Sequence, residues 1–347
     1  MTYEKYFCFS RGGEDIYLFI LCNTSGTKVS ISNYGAIIRS FKIIQNNNRI
    51  NDIVLGFDKM EDYFSPTYLS QYSYIGAACG RYANRIKDGR FSIDGKNYQL
   101  TQNEGNDQLH GGREGFDKKI WQLVSFNNSI LELSYSSPDG EERFPGNLTT
   151  HIRFELNEQN ELSYEFSART DKATAVNLTH HSYFNLNNGI GTIEDHEVKI
   201  NASRILAQDE GLVCNGDFIP VEGTRFDFRN FKAVLKDGES KIGYDQCFVI
   251  DKKDDELCMV AETRSLQSGI TLQVFSTAPA VQFYTAQGFP NLRGKQGNQY
   301  GPFSGLCLET HTHPNAINIP HFPNTVIRPG EIYRQKNIYR VSETAVK

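Results

Sequence analysis

Apolar side chains recur at every second position along much of the 347-residue chain, and that period decides the class of fold before any motif is considered. Ile152, Phe154 and Leu156 alternate with Arg153 and Glu155; after the polar stretch 157–160, Leu162, Tyr164, Phe166 and Ala168 alternate with Ser163, Glu165 and Ser167. Successive side chains of a strand point to opposite faces, so this pattern predicts two half-buried strands joined as a hairpin. A second hairpin is expected where Phe91 and Ile93 lead through Asp94-Gly95 to Tyr98 and Leu100, because Asp-Gly supplies the positive φ angles of a type I′ turn. Further turn pairs are Asp88-Gly89, Asp139-Gly140, Asn188-Gly189, Asn215-Gly216 and Asp237-Gly238, and strand-like runs recur at 130–135, 271–275, 281–284 and 305–310. Sustained 3.6-residue periodicity is hard to find, and 60–63 is the place for a short helix to start. The pattern predicts an all-β protein, sandwich or barrel. No linker, low-complexity tract or fixed repeat divides the chain, so residues 1–347 are expected to form a single domain rather than a propeller or solenoid.

Charge narrows the partners. Lys and Arg number 36 against 41 Asp and Glu, a formal charge of −5. Nucleic acid and anionic membranes both call for a basic footprint, so neither is expected as a partner. The longest unbroken apolar run, 16–22, has seven residues, far short of the roughly 20 a spanning helix needs. The N-terminal segment carries no charged-then-apolar-then-small leader pattern, and the seven cysteines are irregularly spaced with no Cys-x-x-Cys. The expectation is a cytoplasmic protein whose cysteines are reduced small hydrophobes, not a disulfide framework.

Several residues are candidates for chemistry. His110 precedes Gly111-Gly112, where the backbone is free to turn sharply and approach a ligand. His180 and His181 are adjacent, so on a strand only one of them faces a given site while the other packs; Tyr183 and Phe184 beside them read equally as the aromatic wall of a sugar subsite or as simple core packing. Within 305–310, Cys307, Glu309 and His311 share one strand face and Leu306 and Leu308 the other. A carboxylate on so apolar a strand is expected to be partly desolvated, which raises its pKa toward the range of a general base unless hydrogen-bond donors offset it; the other reading is a rim carboxylate on a solvated sheet edge. Glu309, His311 and His313 at alternate positions also make a minority zinc alternative. Asp245 is a hydrogen-bond acceptor for a polyol or an ordinary Asx-turn residue, and Asn84 with Arg85 offers an amide and a five-donor fork. Gln282 and Tyr284 share a strand face opposite Val281 and Phe283. Arg81, Arg85, Lys87 and Arg90 together also read as an ordinary solvated cluster.

Seven segments then carry a resemblance: GRYANRI (80–86), QLHGG (108–112), SPDGEERFPG (137–146), NLTHHSYFNL (177–186), GYDQCF (243–248), VQFYT (281–285) and GLCLET (305–310), followed by FPNTVIRPGEIY at 322–333. In this order they resemble the aldose 1-epimerase (galactose mutarotase) family. The resemblance implies a β-supersandwich, mostly antiparallel with few short helices, carrying a sugar cleft on one sheet face. It implies Glu309 as catalytic base, His181 as catalytic acid, sugar contacts from Asn84, Arg85, His110, Asp245 and Gln282, and Tyr183 packing around His181. His180 replaces an asparagine of the family pattern, and His311 and His313 depart from it.

The activity so implied is interconversion of the α and β anomers of a free aldohexose such as D-galactose or D-glucose. The base takes the anomeric hydroxyl proton, the acid protonates the ring oxygen, and the opened aldehyde recloses on its other face. No metal or other cofactor is called for, the partner is a small monosaccharide, and the chain is expected as a monomer or homodimer. The rivals are a hexose-6-phosphate 1-epimerase using Arg81, Lys87 or Arg90 at the distal end of the sugar, a glycosidase pairing Asp245 with Glu309, and a non-catalytic sugar-binding module.

Overall fold

The computed structural model describes residues 4–235 and 242–343. Strands dominate, and the paired strands run antiparallel. Leu148–Leu156 pairs with Glu161–Thr170 from Leu156 opposite Leu162 out to Leu148 opposite Thr170, the hairpin expected from the alternation. Arg90–Ile93 pairs with Lys96–Gln99, and Asp94 and Gly95 between them take φ of 53° and 76°, both positive as a type I′ turn requires. Leu100 lies just past that second strand.

Three sheets carry the architecture. Residues 5–52 form a five-stranded meander. A nine-stranded sheet runs, in spatial order, through Gln122–Phe126, Ile130–Ser137, Leu148–Leu156, Glu161–Thr170, Tyr333–Glu343, Ile270–Ser276, Cys258–Ser265, His196–Ile200 and Lys232–Ala233. A six-stranded sheet runs through Tyr183–Phe184, Leu306–His311, Ala280–Tyr284, Asp245–Val249, Arg204–Gln208 and Cys214–Pro220. Ile152, Phe154, Leu162 and Phe166 of the large sheet share one buried cluster with Leu306, Leu308, Val281, Phe283 and Phe248 of the smaller one. The two inner faces therefore pack as a sandwich, each fully buried Leu, Ile or Phe stabilising it by about 1.5–3 kcal/mol. Phe19 and Phe41 of the meander join the same cluster. This is the β-supersandwich expected.

Among the described residues helix is confined to single turns. Residues 60–63 do begin one, a 3₁₀ turn over Met60–Phe64, and Ser65 then caps the four-residue helix Pro66–Leu69, its Oγ accepting from Tyr68 N at 3.3 Å. No helix among the described residues is long and apolar enough to cross a membrane. One turn pair is corrected. Asn215-Gly216 lies inside Cys214–Pro220, where Leu206 opposes Phe218 but Gln208 opposes Cys214. Two extra residues bulge there, and Gly216 at φ 107° absorbs the bulge. Asp237-Gly238 falls outside the described residues.

Candidate active site

The site follows from the register of the six-stranded sheet. Because Leu306, Leu308, Val281 and Phe283 point into the sandwich, their neighbours Cys307, Glu309, Gln282 and Tyr284 must point outward. Cross-strand pairing then sets these outward residues in two rows. Tyr183 lies opposite Cys307, Cys307 opposite Tyr284 and Tyr284 opposite Asp245; in the next row Glu309 lies opposite Gln282. One sheet face thereby gathers two carboxyls and an amide, with the Gln282 amide donating to Asp245 Oδ1.

Loops from elsewhere wall this face. His181 sits between the short strands Thr179–His180 and Tyr183–Phe184, its N–H donating to Ala77 O at 2.8 Å and its carbonyl accepting from Gly76 N at 2.9 Å. That double anchor turns its Nε2 toward Glu309 Oε1 at 3.5 Å. Tyr183 (4.9 Å between ring centroids) and Tyr74 (5.9 Å, interplanar angle 22°) flank the imidazole. His110 closes another side, its ring centroid 5.3 Å from that of His181 and its Nδ1 accepting from Asn84 N at 3.3 Å. Arg85 reaches in with Nη2 on Glu104 Oε1 at 2.9 Å. The loop behind His110 needs glycine: a Cβ on Gly111 would lie 1.9 Å from Gly80 O, at φ +89°. The close approach expected of this glycine is made to the protein's own backbone. The resulting cavity, about 210 Å³, is lined by all eight candidate residues together with Tyr72, Tyr74, Tyr284 and Glu104. Larger hollows lie elsewhere, such as one of about 1,030 Å³ among Arg204, Lys252, Asp254 and Arg334, but in this cleft the buried Arg85, His110, His181 and Glu309 converge.

Burial governs the electrostatics. It pushes the Glu309 carboxyl well above the usual carboxylate range, with Asp245 adding to the rise and Arg85 opposing it. Asp245 is also raised by burial, offset by Arg85 and the Gln282 hydrogen bond. Burial drives His181 down to about 3 and His110 well below its usual value, helped by His181 and Arg85. Glu309 Oε2, Gln282 Oε1 and Glu104 Oε2 are buried without hydrogen-bond partners. Three unsatisfied acceptors in one cleft are what a ligand rich in hydroxyl groups would satisfy.

All eight candidates from the sequence thus meet in one place. His180 does not join them: it points into the sandwich, Nε2 on Ala36 O at 3.2 Å and its ring against Phe154 and Tyr164. The zinc alternative fails as drawn. His313 packs on Phe322 with ring centroids 4.8 Å apart, and the donor atoms that do converge, within 4.8 Å of one another, belong to His110, His181 and Glu309. These could in principle seat a metal ion, but the Arg85 guanidinium acts on both Glu309 and His110 and opposes a second cation there. A phosphate pocket is not built from Arg81, Lys87 and Arg90 either. Arg81 is buried, donating to Ser137, Pro138, Pro145 and Gly146; Lys87 pairs with Asp209; Arg90 bonds Gln99. Of the residues lining the cleft, Arg85 carries the fixed positive charge and is already paired with Glu104, which leaves it committed rather than free for a phosphate. Sequence reasoning missed Glu104, Tyr72 and Tyr74; the alternate tyrosines of 72–74 were the one available signal.

Known proteins resemble this chain over most of its length. The aldose 1-epimerase family model matches residues 17–340. The galactose mutarotase of Sus scrofa is 42% identical over 311 residues, 88% of each chain. The aldose 1-epimerase of Escherichia coli K12 is 34% identical over 336 residues, 94% of this chain and 96% of that protein. Among solved structures, an aldose epimerase homologue from C. elegans superposes with a TM-score of 0.87 at 29% identity, covering 94% of this chain and 99% of that one. The galactose 1-epimerase of Lactobacillus acidophilus NCFM does so with 0.84 at 27% identity over 99% of both. The chain belongs to the aldose 1-epimerase family.

Proposed function

We propose that the chain is an aldose 1-epimerase, interconverting the α and β anomers of free aldohexoses such as D-galactose and D-glucose. The observation that carries this reading is the 3.5 Å approach of His181 Nε2 to Glu309 Oε1 inside a cleft of single-sugar size. Glu309 takes the proton of the anomeric hydroxyl while protonated His181 gives one to the ring oxygen. The C1–O5 bond breaks, the aldehyde carbon rotates, and O5 attacks its other face as both protons return. Net bonding is unchanged, so one acid and one base suffice.

The remaining residues orient the sugar. Asn84, Arg85, His110, Asp245 and Gln282 hold its hydroxyl oxygens, and Arg85 also favours the ionised form of Glu309 as charge develops. Tyr183 keeps the imidazole upright. The reading takes residues 1–347 as one unit acting in the cytoplasm, as a monomer or homodimer, on a monosaccharide and not on nucleic acid or membrane. Polarimetry of freshly dissolved α-D-galactose, with and without protein, tests it. The protein should accelerate the approach to equilibrium rotation, and Glu309→Gln should abolish the acceleration. An unaccelerated decay, or a Glu309→Gln variant as fast as the wild type, would refute it.

A further inference from the structure

We propose that Cys307 is a positioning residue for His181: its sulfur accepts a hydrogen bond from Nδ1–H throughout the reaction, so that the proton exchanged is always the one at Nε2. This rests on the acid–base reading above. Cys307 lies two residues before Glu309 on the strand Leu306–His311, so both side chains leave the same face. The imidazole spans them, with Nδ1 3.5 Å from Cys307 Sγ and Nε2 3.5 Å from Glu309 Oε1. A single strand thus holds both ends of the ring. The register, with Tyr183 opposite Cys307, puts a tyrosine beside the same sulfur and against the same imidazole.

An imidazole that must accept and release a proton at Nε2 has to keep the other proton at Nδ1. Where a carboxylate takes that role it adds a second negative charge, which would compete for the proton beside Glu309. A thiol holds Nδ1–H while staying neutral. Cys307 is fully buried and forms no disulfide, and burial with the neighbouring Glu309 and Asp245 charges keeps it a thiol. Sulfur is a weak acceptor, and the backbone of His181 also bonds the ring, so the ring nitrogens must be read directly.

The test compares Cys307→Ala, which removes the acceptor, with Cys307→Ser, which keeps one. Two measurements are made on each: mutarotation kinetics against pH, and ¹⁵N NMR of the His181 ring nitrogens. The wild type should show the proton at Nδ1. Cys307→Ala should shift population to the Nε2–H tautomer and lower kcat about tenfold, the size of one net hydrogen bond, with KM within about twofold; Cys307→Ser should restore both. A wild-type ring protonated at Nε2, or a Cys307→Ala protein with unchanged tautomer and unchanged kcat, would overturn the assignment. Should Cys307→Ala fail to fold, the wild-type and Cys307→Ser spectra still decide it. A wild-type protein without mutarotase activity would instead sink the functional reading, and the tautomer would judge the contact separately.

Discussion

Replacing His181 with Asn removes the group that would carry the proton to the ring oxygen and leaves Glu309 in place. The two side chains are almost entirely shielded, 6% and 3% exposed, at 3.5 Å. Between an imidazolium and a carboxylate at that distance, Coulomb attraction is about 4.7 kcal/mol at an effective dielectric of about 20, against about 1.2 kcal/mol in bulk water. The attraction exists only while the proton sits on His181, so it lowers the cost of reaching the charged, reactive form of the pair from its neutral resting form, and that gain is lost with the imidazole. At about 1.36 kcal/mol per decade, the upper value corresponds to roughly 3,000-fold, within the 10²–10⁴-fold range of a positioned proton donor. The pH profile should change as well. Wild-type activity needs one proton on the pair, so kcat should fall both when a second is added and when the last is lost. With His181 gone, residual activity should follow Glu309 ionisation alone, rising with pH toward the raised pKa and then levelling. Polarimetry of α-D-galactose from about pH 4 to about pH 9, with the buffer-catalysed rate subtracted, reads both quantities. A loss smaller than about tenfold, or a bell that survives the substitution, would refute the pairing.

Three further outcomes follow from the same coordinates. Glu104→Gln removes the carboxylate paired with Arg85 at 2.9 Å, but its side chain is 41% exposed, so the pair is worth under about 1 kcal/mol; KM should rise up to about fivefold with kcat unchanged, and steady-state kinetics showing a tenfold fall in kcat would place Glu104 in the chemistry instead. Asp117→Asn should change the pH dependence of stability. Burial raises the folded pKa of Asp117 from 3.8 to about 6, against Lys118 and Tyr72, so its contribution is full below the unfolded value and is lost as pH rises through about 6. The shift is worth about 3 kcal/mol, and urea unfolding at about pH 4.5 and about pH 8 should show the variant gaining on the wild type at the higher pH; an equal difference at both would contradict this. Gly111→Ala drives a methyl into Gly80 O and should lower thermal stability by roughly 3 kcal/mol or more, which a melt near that of the wild type would disprove.

The two hairpins and the sandwich class were readable because both signals are local: alternation fixes which face is apolar, and Asp94-Gly95 fixes the turn. Asn215-Gly216 misled for the same reason. A turn-forming pair carries no record of the strand opposite it, and here Arg204–Gln208 runs alongside and makes a bulge of it. Within the site, period two placed Glu309 away from Leu306 and Leu308, and Gln282 away from Val281 and Phe283, and the structure agrees. What alternation does not contain is register. That Gln282 lies opposite Glu309, and Asp245 opposite Tyr284, depends on long-range pairing among strands far apart in the chain. Glu104 was invisible because nothing near it in sequence announces Arg85, and Cys307 was read as a small buried hydrophobe because burial and thiol chemistry look alike in composition. Alternation said only that one of His180 and His181 faces the site; the family pattern chose His181, and His180 packs on Phe154 and Tyr164.

The proposed reaction asks for an ionised Glu309 and a protonated His181, whereas burial favours a neutral imidazole and a protonated carboxyl. Both descriptions hold one proton, and they differ by its passage across the 3.5 Å between Oε1 and Nε2. Keeping the pair neutral at rest avoids the desolvation of a buried ion pair, which would otherwise cost several kcal/mol per ion. Once a polyol fills the cleft, its hydroxyls can donate to the unsatisfied Glu309 Oε2, and Arg85 already acts in favour of the charged carboxylate. Hydrogen bonds to the charged form lower a carboxyl pKa, so on the proposed mechanism sugar binding would itself shift the proton toward His181. The acid and base would then be generated in the presence of substrate, with the charge on Glu309 met by Arg85 and by the sugar's own hydroxyls.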